Sequence, residues 1–158
     1  MGLDMYLDQR KRIGAFDPDK KDYAESAKIT VEKTFDDGTK TTEEIEVPRM
    51  HSSITMRIPV AYWRKANMLH RWFLNAAEAK EDNCEPLDIT GKQVQELVQL
   101  CRDVLADHSK AKDLLPTCAG FFFGDTEYDE YYFECLEETV NMLKDLDPDA
   151  WYVYQASW

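Results

Sequence analysis

WYVYQASW, residues 151–158, is the stretch on which the architecture of this chain turns. It is aromatic and alternating, the pattern of a strand with one face buried. A second short alternating run lies at the other end of the sequence. There Leu3, Met5 and Leu7 face one way, and Asp4, Tyr6 and Asp8 the other. The C-terminal strand is expected to pair near this N-terminal one. A sheet made from the two ends of a chain needs its apolar face covered by what lies between them.

Between them the sequence predicts a hairpin and three helices. Lys28–Phe35 and Thr39–Val47 are β-rich runs around Asp36-Asp37-Gly38, and an Asp-Gly in that position is a strong hairpin signal because the turn needs positive φ. Pro59 suits the first turn of a helix, which is expected to run to about Ala79. Helical spacing there puts Tyr62, Ala66, Leu69, Trp72, Phe73 and Ala76 on one face. Thr90 with Gln93 is a capping-box pattern, and Val94, Leu97, Val98, Cys101, Val104 and Leu105 continue it as an apolar stripe to about His108. Gly120-Phe121-Phe122-Phe123-Gly124 is either a buried strand or a tight apolar loop. Asp125 or Thr126 is expected to cap a third helix reaching about Leu146, with Tyr128, Tyr132, Cys135, Leu136, Thr139, Leu143 and Leu146 inward. The predicted class is α+β: three main helices packed on a small, mainly antiparallel sheet of N-terminal strand, hairpin and C-terminal strand. A length of 158 residues fits one domain, 1–158.

Charge is spread unevenly along this frame. From Asp125 to Asp149 ten carboxylates face one base, Lys144, so this segment holds nine of the formal −12 charges. From Val47 to Ala77 there is no acid, while Arg49, Arg57, Arg64, Lys65 and Arg71 are present. Such fields steer association rather than set the fold. An acidic balance argues against binding of nucleic-acid phosphates by the general surface and favours a basic partner. Apolar runs are too short to span a membrane, and MGLDMYLDQRKR has no leader-like apolar region. Cys84, Cys101, Cys118 and Cys135 form no CxxC pair, so four reduced thiols are expected.

Motifs for nucleotide, zinc-protease or serine-hydrolase chemistry are absent from the sequence, so no catalytic residue, cofactor or metal is assigned. The acids after Gly124 fail the calcium-loop pattern: the twelfth position from Asp125 is Leu136, which cannot ligate. They enrich a helix start, where the macrodipole favours them, and they are also a candidate partner surface. That surface comprises Asp125, Glu127, Tyr128, Asp129, Glu130, Tyr131, Glu134, Glu137 and Glu138. Arg64, Lys65 and Arg71 have two readings, pairing with the acidic third helix or holding a phosphate. The alternative site is a small-molecule or nucleotide pocket, hydrolytic in one version, lined by Trp63, Arg64, His70, Arg71, Phe122 and Tyr128.

Three segments carry a resemblance: MGLDMYL at 1–7, AYWRKANMLHRWF at 61–73 and LLPTCAGFFFGDTEYDEYYFECLEET at 114–139. They resemble an uncharacterised family of small bacteriophage and prophage proteins with MGLDMYL, YWRKAN and GFFFG–YDE–YY motifs. The motifs mark the family and not a chemistry, so no catalytic residue carries over. The resemblance implies a phage origin, the cytoplasm of an infected bacterium and an accessory role against host machinery. Combined with the acidic segment, it gives the expectation of a non-enzymatic protein that blocks a basic site on a host protein, such as the nucleic-acid channel of a defence nuclease. Neither direct nucleic-acid binding nor membrane association is expected.

Overall fold

The computed structural model describes residues 2–14, 26–34, 40–48 and 53–158. In chain order the elements are β1 (Asp4–Gly14), β2 (Ser26–Thr34), β3 (Lys40–Pro48), β4 (Ser53–Arg64), α1 (Asn67–Ala76), β5 (Leu87–Thr90), α2 (Gly91–Ala106), a 3-10 turn (His108–Lys110), α3 (Ala111–Leu114), α4 (Glu130–Leu143) and β6 (Trp151–Ser157). The chain divides into two compact units, one of Met1–Lys11 with Arg57–Trp158 and one of Arg12–Met56.

The larger unit is organised by the pairing of the chain ends. A four-stranded antiparallel sheet has the order β4-β1-β6-β5. Strand β6 runs antiparallel to β1 with Met5 opposite Ala156 and Leu7 opposite Tyr154, and antiparallel to β5 with Ile89 opposite Tyr152. Side chains alternate across a strand, so Leu3, Met5, Leu7, Tyr152, Tyr154, Ala156 and Ile89 are all buried in one core. Phe73 of α1 stacks on Tyr154 with ring centroids 4.1 Å apart. Burying each such side chain contributes about 1.5–3 kcal/mol.

The expectation of three helices is corrected: four pack on the sheet. The additional one is α3, a single turn between the 3-10 turn and Leu115. Asp107 nucleates this pair of turns, because its carboxylate accepts from the Ser109 amide at 3.1 Å and the Ser109 hydroxyl at 2.6 Å. Those bonds hold the Asp107 carboxyl below its usual pKa. Pro116 follows and stops the helix.

The start of the first helix is also corrected. Pro59 lies within β4, and α1 begins eight residues later at Asn67. Residues 53–60 read Ser-Ile-Thr-Met-Arg-Ile-Pro-Val, rich in β-branched side chains. Strand β4 is an edge of the sheet, and an edge tolerates a residue without an N–H. Lys65, at φ 57, turns the chain out of the strand. Its amide donates to the Leu3 carbonyl at 2.7 Å.

The expected sheet composition changes too. Strands β2 and β3 pair antiparallel with Ile29 opposite Ile45, but as a separate two-stranded sheet. Their places in the main sheet are taken by β4 and β5. The Asp36-Asp37-Gly38 turn lies outside the described residues.

Helix α2 follows its sequence pattern closely. Thr90 and Gln93 form the reciprocal cap, with Gln93 N donating to Thr90 Oγ1 at 3.2 Å and Thr90 N to Gln93 Oε1 at 2.8 Å. Val94, Leu97, Val98, Cys101 and Val104 are buried. Among the described residues, no helix is long and apolar enough to cross a membrane.

Candidate functional site

Helix α4 begins at Glu130, with Asp129 rather than Asp125 or Thr126 as its cap: Asp129 Oδ1 accepts from the Tyr132 amide at 3.0 Å. The four preceding residues are held in another conformation. Asn67 Nδ2 donates to the Asp125 carbonyl at 2.8 Å, and Thr117 Oγ1 to the Thr126 carbonyl at 3.0 Å. The Thr117 amide donates to the Tyr128 hydroxyl at 3.3 Å. A helix cannot start until those backbone groups are released.

The inner face of α4 is locked. Tyr132, Cys135, Leu136, Thr139 and Leu143 are buried, while Tyr128 and Leu146, also expected inward, lie beyond the ends of the helix and are half-buried. Tyr132 donates its hydroxyl to the Leu115 carbonyl at 2.8 Å, and Trp63 Nε1 donates to Thr139 Oγ1 at 2.9 Å. Cys135 faces Cys101 of α2, both as free thiols. Burial pushes each of them up to about 12, so neither is a nucleophile near neutral pH.

A 3.6-residue period that buries those five positions turns the glutamates outward. Glu130, Glu134, Glu137 and Glu138 are all exposed, as are Asp125, Glu127, Asp129 and Tyr131, while Tyr128 is half-buried. The nine residues of the predicted partner surface therefore lie along one continuous segment, 125–138. Among the described residues, no cation lies within 4.0 Å of these carboxylates. Lys112 Nζ stands 5.8 Å from the centre of the Tyr128 ring.

Of the cationic group Arg64, Lys65 and Arg71, the two arginines are engaged elsewhere. Arg64 Nε lies 3.9 Å from Asp4 Oδ1 on β1, and the same carboxylate oxygen accepts from Tyr62 Oη. Arg71 donates to the Thr117 carbonyl at 3.4 Å. What reaches Arg64 from α4 is the Tyr131 hydroxyl, which donates to the Arg64 carbonyl. Lys65, Asn67, Asp125, Glu127, Asp129 and Tyr131 border a cleft of about 260 Å³. That is below the usual size of a small-molecule site.

The six residues of the alternative pocket do not converge. Trp63 and His70 are core residues, 3% and 1% exposed. His70 is held from both sides, Nδ1 at 2.7 Å from the Tyr154 hydroxyl and Nε2 at 3.0 Å from Asp82 Oδ2. Arg64, Arg71 and Phe122 are exposed, and Tyr128 is half-buried. Neither described cavity is lined by more than one of the six. Among the described residues, no group of three His, Cys, Asp or Glu side chains is arranged to hold a metal ion.

One organising residue escaped the sequence reading. Asn67 is 3% exposed and satisfies three backbone groups: it donates to the carbonyls of Phe123 and Asp125 and accepts from the Cys118 amide. It pins the loop before α4 onto the start of α1. The sequence signal was an Asn in the expected interior of a helix, where this residue is disfavoured.

No protein family, no curated protein and no solved structure matches this chain.

Proposed function

We propose that this protein is a non-enzymatic interaction protein of phage or prophage origin, acting in the cytoplasm of a bacterial host. It docks the outer face of α4 on a basic site of a host protein and blocks that site. The nucleic-acid channel of a defence nuclease has the required chemistry, since an acidic row there would take the place of phosphates.

The observation carrying this reading is the row Glu130, Glu134, Glu137 and Glu138, exposed and without a described cation in ion-pair range. Like charges three and four positions apart destabilise a helix by about 0.2–0.5 kcal/mol per pair. Folding gains nothing from that repulsion, whereas a cationic partner removes it and is steered in by the same field. The acidic segment repels nucleic acid itself.

The test is affinity capture from a bacterial lysate with the full chain and with the variant carrying Glu130→Lys, Glu134→Lys, Glu137→Lys and Glu138→Lys. A basic protein held by the natural chain, released by salt and absent from the variant, is expected. Equal capture by both would remove this mechanism.

A further inference from the structure

Phe121 and Phe122 are presented to solvent by a loop that is fixed on every other side. They are 79% and 41% exposed and touch each other edge to face at 4.4 Å. Their neighbour Phe123 is buried against His70 and Trp158, at 5.1 and 5.6 Å. The Phe122 carbonyl accepts from the Leu3 amide at 3.2 Å. Phe122 has φ 70, a left-handed conformation rare for a bulky residue. The flanking glycines are required by the same geometry: a Cβ on Gly120 would lie 2.3 Å from the Phe123 ring, and Gly124 has φ 90. Strain held in place by surrounding contacts, with two aromatic rings left outside, is a pre-organised arrangement.

From this we infer that the Phe121–Phe122 tip is the apolar anchor of the acidic surface, and that it enters an apolar pocket rimmed by Lys and Arg on a protein partner. The inference rests on the docking role proposed for α4 and adds the partner's chemistry. Rigid aromatic side chains are the usual anchors of interfaces. Asp125, Glu127, Asp129 and Glu130 follow Phe122 within eight residues and outnumber Lys65, the cation that packs against Gly124, so the net charge of the segment beside the tip favours a cationic rim on the partner. That charge disfavours the other occupants. A second copy would bring together two chains of formal charge −12, and an anionic lipid surface would be repelled.

The test titrates the full chain with two peptides of equal charge, one of Lys and Leu and one of Lys and Gly. The natural chain is expected to bind the Lys–Leu peptide about tenfold more tightly. A variant with Phe121→Ser and Phe122→Gly should lose that preference, keep its Lys–Gly affinity and melt no lower, because φ 70 suits glycine. A preference retained by the variant, or absent from the natural chain, overturns the anchor and leaves the acidic surface standing. Failure of the natural chain to bind the Lys–Gly peptide counts instead against the acidic surface. Self-association lost in the variant, or binding to anionic vesicles in place of the Lys–Leu peptide, would assign the tip to a second copy or to lipid and overturn the inference.

Discussion

Helices α2 and α4 pack against each other and solve the same inward problem, yet their outward faces differ. Each buries a stripe at helical spacing, including the facing thiols Cys101 and Cys135. Outside, α2 exposes Lys92, Glu96, Gln99 and Arg102, a mixture of signs. Helix α4 exposes Glu130, Glu134, Glu137 and Glu138, a single sign. Two neighbours in one core show that the fold accepts either surface. The acid row contributes no buried contact to that core.

The inner faces should respond alike. Leu97→Ala in α2 and Leu136→Ala in α4 each remove a fully buried side chain, and each should lower stability by about 2–5 kcal/mol in urea unfolding. A loss below about 1 kcal/mol at Leu136 alone would break the equivalence of the two helices as core elements.

The thiols between the helices set an alkaline limit. Both are raised from 9.0 to about 12, by burial first. The unfolded chain loses these protons first, so the stabilisation is whole below pH 9 and is lost as pH rises towards 12. Two thiols together should remove about 2 kcal/mol between pH 9 and 10. Unfolding at pH 8, 9 and 10 checks this, and Cys101→Ala with Cys135→Ala should flatten the slope.

The caps of the two helices should show a smaller effect. Thr90→Ala removes the α2 cap and Asp129→Ala the α4 cap, each at about 1 kcal/mol. Thermal melts should place the two losses close together. A much larger loss at Asp129 would mean that it also holds the preceding loop.

The sequence revealed elements whose signal is local. Alternation identified the terminal strands, Thr90 and Gln93 marked the start of α2, and the period of 3.6 picked out five inner residues of α4 while overrunning its ends at Tyr128 and Leu146. It failed where tertiary context chooses between two local meanings. Pro59 suits a helix start and an edge strand equally, and only the pairing of β4 at the sheet edge decides. The hairpin's polar runs said nothing about which sheet they join. The acidic row could be read in advance because charge and period are both in the sequence. The Phe run remained open between core and surface because its outcome depends on Asn67, Leu3 and Trp158, all distant along the chain, which bury one ring and leave two outside.

Docking through α4 depends on where the charge sits, not on how much there is. Glu130→Gln, Glu134→Gln, Glu137→Gln and Glu138→Gln together take the formal charge from −12 to −8. The same change follows from Glu78→Gln, Glu81→Gln, Glu85→Gln and Glu96→Gln, at exposed positions outside α4. Calorimetric titration of both variants with the Lys–Gly peptide compares them at equal net charge. Binding about tenfold weaker is expected for the α4 variant, and a change within about twofold for the other. Equal weakening in both would show that net charge alone attracts the peptide, and would contradict a docking face on α4.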